Sequence, residues 1–133
     1  MRNYFIIGMI MFSLSGNAQF NNAHKIELKE IGFQLCIKNH DQRTEVGVEI
    51  EITLITSKDE NIELQQVWSF PRKIKDEEGN HFRQVKTMIE KPTNESFLLS
   101  YSIVENSDLV KGNWKFELYH RGKLIYEKDF LVR

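Results

Sequence analysis

Hydrophobic and polar residues alternate along most of this chain. The alternation is clearest from Gly112 to Val132, where Trp114, Phe116 and Leu118 are interleaved with Lys115, Glu117 and Tyr119. A period of two marks a strand with one dry and one wet face. Arg121-Gly122-Lys123 interrupts the pattern, and Leu124, Tyr126, Phe130 and Val132 resume it. Two alternating runs joined by a short link containing glycine predict a β-hairpin.

Five further strands are predicted upstream. In the first, Ile26 and Leu28 share one parity, while Ile31, Phe33, Leu35 and Ile37 share the other. The phase therefore slips near Lys29-Glu30. A one-residue slip turns the inward face outward unless a bulge or a crossing between sheets absorbs it. After a polar connection over 38–45, Val46, Val48, Ile50, Ile52 and Leu54 give the cleanest strand, and residues 57–61 make a turn. Ile62, Leu64, Trp68 and Phe70 form the third apolar face, with Gln66 as an exception, and Pro71 is expected to end that strand for want of a backbone donor. Val85, Thr87 and Ile89 suggest a fourth strand, poor enough in apolar residues to lie at an edge. Phe97, Leu99, Tyr101 and Ile103 suggest a fifth, followed by a connection over 105–111 in which Leu109 tucks inward. No window in this region shows a helical apolar period. Seven short strands with regularly spaced turns predict an all-β, immunoglobulin-like sandwich of about seven antiparallel strands. Trp68 falls on the third strand, where such folds often bury a Trp. A small closed barrel is the alternative.

The N-terminus reads differently. Arg2 precedes an apolar run over Tyr4–Leu14, and Ser15-Gly16-Asn17-Ala18 supplies small residues. That is the three-part pattern of a signal peptide, and the run is shorter than the roughly 20 residues of a membrane span. The expected organisation is a signal peptide over 1–18, a short leader over 19–25 and one sandwich domain over 26–133. Cleavage after Ala18 predicts an exported protein, periplasmic or secreted, with no membrane span left after cleavage. No Cys directly follows the run at the expected cleavage site, which argues against a lipid anchor.

Composition narrows the partners. The chain of 133 residues carries 18 basic and 19 acidic side chains. Loss of Arg2 with the leader makes the mature charge about −2, with no electrostatic footprint for nucleic acid. Cys36 is the single cysteine, so an intramolecular disulfide is impossible and the core alone must hold the fold. Cys36 sits in an apolar alternation and is expected to be a small buried hydrophobe. A reactive thiol and an intermolecular disulfide are the sharper readings.

The candidate chemistry is thin. His24, His40, His81 and His120 lack metal-site spacing and fall in or beside predicted loops. Glu49 and Glu51 resemble a carboxylate pair but read better as the wet face of a strand. Asp76-Glu77-Glu78 lacks the alternating ligand spacing of a calcium loop and reads as a solvated turn. Asn94-Glu95-Ser96 fits a glycosylation sequon. Trp68 and Trp114 could stack on sugar rings if exposed, but their phase predicts burial. No nucleophile elbow, phosphate loop or dinucleotide fingerprint is present. No catalytic, cofactor-binding or metal residue is therefore assigned, and no cofactor is implied.

Two motifs occur together: Val67-Trp68-Ser69-Phe70-Pro71 followed by Gly79, and Gly112-x-Trp114-x-Phe116-Glu117 followed by Gly122-x-Leu124 and Phe130-x-Val132. The pairing resembles the bacterial secreted family catalogued as domain of unknown function 3859. Ile31-Gly32-Phe33 is similar to that family's opening strand, with Ile31 in place of a Tyr. The resemblance spans Ile26 to Val132 and implies secretion and an all-β fold, with no catalytic residue to carry over. The expected function is a non-catalytic, exported binding or accessory module. Its partner would be an envelope or extracellular protein or a glycan. A small extracytoplasmic hydrolase or a carbohydrate-binding domain is the alternative.

Overall fold

The computed structural model describes residues 25–133. The signal peptide over 1–18, the leader as far as residue 24 and His24 lie outside the described residues. Seven strands follow in chain order: β1 (Glu27–His40), β2 (Arg43–Ile55), β3 (Asn61–Lys75), β4 (His81–Pro92), β5 (Ser96–Asn106), β6 (Gly112–His120) and β7 (Lys123–Val132). A single helical turn, α1 (Ser107–Val110), separates β5 from β6. The strands form two antiparallel sheets of order β1-β2-β5 and β4-β3-β6-β7. The predicted sandwich is the fold, and β4 lies at an edge as its composition suggested.

The strands run further than their apolar residues. The connection expected over 38–45 shrinks to Asp41-Gln42, because His40 pairs directly with Arg43. Backbone ladders need no apolar side chain, so polar strand ends extend the sheet. The phase slip in β1 is a bulge: Glu30 pairs with Ile52 and Gly32 with Glu51, leaving Ile31 unpaired and exposed rather than inward. Pro71 does not end β3. The β3–β4 register jumps between Ser69 and Ile74, so Pro71 sits in an irregular stretch where no ladder donor is required. Gly112 faces that stretch. A Cβ there would lie 2.9 Å from the Pro71 Cβ, and its φ of +134° is one that side chains disfavour.

The hairpin has the expected form. His120 pairs with Lys123, and Arg121 and Gly122 both have positive φ, 52° and 77°, the signature of a type I′ turn. One expectation within it fails. A second bulge at Ile125 shifts the register, so Ile125 packs against the core and Leu124 is exposed.

Trp68, Phe70, Trp114, Phe116 and Leu118 line the inner face of the four-stranded sheet, and Val46, Val48, Ile50, Ile52 and Leu54 line the other. Trp68 packs on Phe116 at 4.4 Å between ring centroids and Phe70 on Trp114 at 4.8 Å. Tyr101 of β5 meets Trp68 from the opposite sheet at 5.7 Å. Gln66 breaks the apolar alternation of β3 because its Oε1 accepts the Trp68 indole N–H at 3.3 Å. α1 closes one end of the sandwich. Its inward residue is Val110, fully buried, while Leu109 is only half-buried. The Trp114 indole donates to the Val110 carbonyl at 2.7 Å, satisfying a group that the end of a helix leaves orphaned.

Candidate functional surface

The sequence-level candidates do not converge. His40 ends β1 and lies 3.9 Å from Glu45, His81 opens β4, and His120 ends β6 at the other end of the sandwich. Among the described residues no three His, Cys, Asp or Glu side chains are grouped to hold a metal ion. Asp76 closes its own turn, its Oδ1 accepting from the Glu78 and Asn80 amides at 2.9 and 2.8 Å. Asn94 of the sequon is committed to structure. Its Oδ1 accepts the Thr56 amide at 3.0 Å, and its Nδ2 donates to Asp59 at 2.9 Å. With buried Thr93 bonded to Lys58 and Glu60, it latches the β4–β5 link onto the β2–β3 link.

Cys36 is exposed, contrary to its expected burial. Below the bulge, Phe33, Leu35 and Ile37 face inward, and Cys36 has the opposite parity. It lies on the outer face of the three-stranded sheet, where one cross-strand row is Cys36–Gly47–Ser102 and the next is Gln34–Glu49–Ser100. These small residues leave a shallow, open depression of about 560 Å³. Glu49 lies in it, and Glu51 lies further along the same face between Gly32 and Leu98. A second depression follows the β3 irregularity, where Arg83 Nε donates to the Phe70 carbonyl at 3.1 Å and Gln84 Nε2 to Ser69 Oγ at 3.1 Å. Both Trp rings are 1% exposed, so neither can stack on a ligand at the surface.

What the sequence reading missed is an edge. β5 ends its sheet, and its outer side is unpaired by any described strand. Its outward residues include Leu98 and Val104, 53% and 45% exposed. The inward residue Tyr101 is half-buried, and burial, reinforced by the Glu105 carboxylate, raises its pKa above the ordinary value near 10. Charged side chains, Pro and bulges normally guard an open edge. β1, β4 and β7 each carry four Asp, Glu, Lys or Arg residues, and β5 carries Glu105 alone. The sequence shows the uncharged run from Ser96 to Val104, but an uncharged strand reads as a central one, so the edge position of β5 comes from the sheet order.

Comparison with known proteins places this geometry. A family model described as Domain of unknown function (DUF3859) matches residues 21–132. A search of curated proteins finds no match. Among solved structures, an immunoglobulin-like protein from Pseudomonas aeruginosa is similar with a TM-score of 0.57 at 15% identity, over 85% of this chain and 100% of that one. A candidate β-galactosidase from Bacteroides fragilis is similar with a TM-score of 0.51 at 13% identity, over 76% of this chain and only 16% of that one. Both likenesses are of fold.

Proposed function

The chain belongs to the family catalogued as domain of unknown function 3859, and on that footing we propose that the protein is an exported, non-catalytic binding or accessory module. The observation that carries the reading is the β5 edge: a regular strand, nearly uncharged, with Leu98 and Val104 turned to solvent. Sandwich domains recognise other chains through edge strands, where main-chain hydrogen bonds supply affinity and alternate side chains supply specificity. A filled aromatic core makes the scaffold rigid, which favours recognition by a fixed surface. Among the described residues no helix is long and apolar enough to cross a membrane.

The test has two arms. Expression with the leader followed by fractionation and intact-mass measurement should give an extracytoplasmic product lighter by about 2 kDa, the mass of eighteen residues. A cytoplasmic product retaining Met1 removes the exported part of the reading. In the second arm the mature domain is screened against polysaccharides and chromogenic ester, glycoside and phosphate substrates. Turnover of any of them that co-elutes with the purified folded domain and is lost on its denaturation would overturn the non-catalytic part.

A further inference from the structure

We propose that β5 pairs antiparallel with β5 of a second copy, about a two-fold axis at Tyr101, to make a continuous six-stranded sheet. This identifies the occupant of the edge on which the module reading rests. The sequence of the strand carries the argument. Around Tyr101 it reads Leu98-Leu99-Ser100-Tyr101-Ser102-Ile103-Val104, close to a palindrome. A two-fold interface sets residue i against residue j and j against i. Here Ser100 meets Ser102, Leu98 meets Val104, Leu99 meets Ile103 and Tyr101 meets itself. Like therefore pairs with like on both faces of the sheet.

The backbone has the matching phase. The Ser107 amide donates to the Gln42 carbonyl at 2.9 Å, one step beyond the Arg43–Asn106 pair. In an antiparallel ladder successive residues direct their N–H and C=O to opposite sides. Odd-numbered residues of β5 therefore bond to β2, and Leu98, Ser100, Ser102 and Val104 offer theirs to the open edge. The Val104 carbonyl illustrates this: it accepts from the exposed Arg43 side chain at 3.2 Å rather than from the ladder. In the dimer the Leu98 amide of the second copy replaces that contact. With Tyr101 as a non-hydrogen-bonded pair, the flanking Ser100–Ser102 and Leu98–Val104 pairs make about eight backbone bonds in all.

Charge is compatible with this register. Glu105 is the sole charged residue of β5 and falls opposite Phe97, so no like charges meet. Lys91 lies over the Phe97 ring at 5.6 Å and meets the incoming carboxylate as a counter-ion. An edge pairing of this length falls at the small end of specific interfaces, below about 1,200 Å². The dimer therefore dissociates on dilution.

The test uses two double variants at exposed outward positions, S100K/S102K and S100E/S102E, in the mature domain. Circular dichroism should show both folded. Analytical ultracentrifugation from about 1 to 500 μM should show a monomer–dimer equilibrium for the native chain. Each variant alone should weaken the dimer at least tenfold, because like charges then face each other across the axis. An equimolar mixture should restore a mixed dimer. S102P, which removes a donor facing the open edge and none facing β2, should also be monomeric. A native chain that is monomeric throughout overturns the proposal. So does a dimer that survives all three variants, since its interface then lies elsewhere. Either result leaves the export and turnover measurements standing as separate tests of the module reading.

Discussion

The two long sides of the sandwich are built in opposite ways. On one side β1 and β7 are stitched across the gap between the sheets. Glu30 accepts from the Tyr126 hydroxyl and from the Lys128 ammonium, the latter at 3.1–3.2 Å, from residues 96 and 98 positions away. Lys128 also lies over the Phe33 ring at 4.6 Å, and Phe33 packs on Phe130 at 5.3 Å. Each of these strands carries a bulge, at Ile31 and Ile125. On the other side β5 is regular and nearly free of charge. Evolution defends edges because an unpaired ladder is a template for another strand. The contrast therefore teaches that the closed side protects the monomer and the open side is where the molecule can be extended.

The largest expected effect removes the element that joins the two sides. Trp114 contacts Phe130 at 5.8 Å toward the stitched side and Tyr101 at 6.3 Å toward the open one. Trp114→Ala should cost roughly 3–5 kcal/mol in denaturant titration, a large part of a typical domain stability of about 5–15 kcal/mol. Lys115→Ala, one residue along on the outer face, should cost less than about 0.5 kcal/mol. Equal costs would place Trp114 outside the core.

Next comes a direct comparison of the sides. Phe33→Ala should cost about 2 kcal/mol, less than a fully buried Phe because the ring is half-buried. Leu98→Ala on the open side, measured at a dilution that favours monomer, should stay within about 0.5 kcal/mol. If Leu98→Ala proves the costlier, the open side is packed and the contrast collapses. Glu30→Gln probes the polar half of the stitching. Its Lys128 bridge is partly exposed, so the cost should not exceed about 1 kcal/mol. It should also shrink in high salt, which leaves Phe33→Ala unchanged.

The smallest effect is in pH. Tyr101 has a folded pKa above its unfolded value near 10, through burial first and Glu105 second. A raised pKa means the folded state keeps its proton longer. Stability is then intact below pH 10 and falls as the pH climbs from 10 toward the raised value. Tyr119, raised by desolvation and by Glu117 and Glu127, contributes in the same direction. Tyr101→Phe should flatten part of this alkaline decline. An unchanged slope in chemical denaturation between pH 9 and 11 would remove Tyr101 from it.

The sequence by itself determined the strands, the hairpin turn and the burial of Trp68, Trp114, Phe116 and Leu118. Each of these follows from a side-chain period or a local backbone preference. Even the phase slip at Lys29-Glu30 was legible, because the bulge that absorbs it is written in the parity of the flanking apolar residues. The same logic misplaced Cys36, Ile31 and Leu124, whose faces depend on which pairing each bulge selects. Pro71 reads as a strand end until the register shows that no partner needs its missing donor. β4 apart, whose thin apolar face already marked it as an edge, only the tertiary structure decided which strands lie at edges and what reaches across between them. Lateral order is set by backbone hydrogen bonds between distant segments, and those bonds impose no period on the side chains. Glu30 and Lys128 meet because two sheets stack, and β5 is open because β4 joins β3 instead of lying beside it.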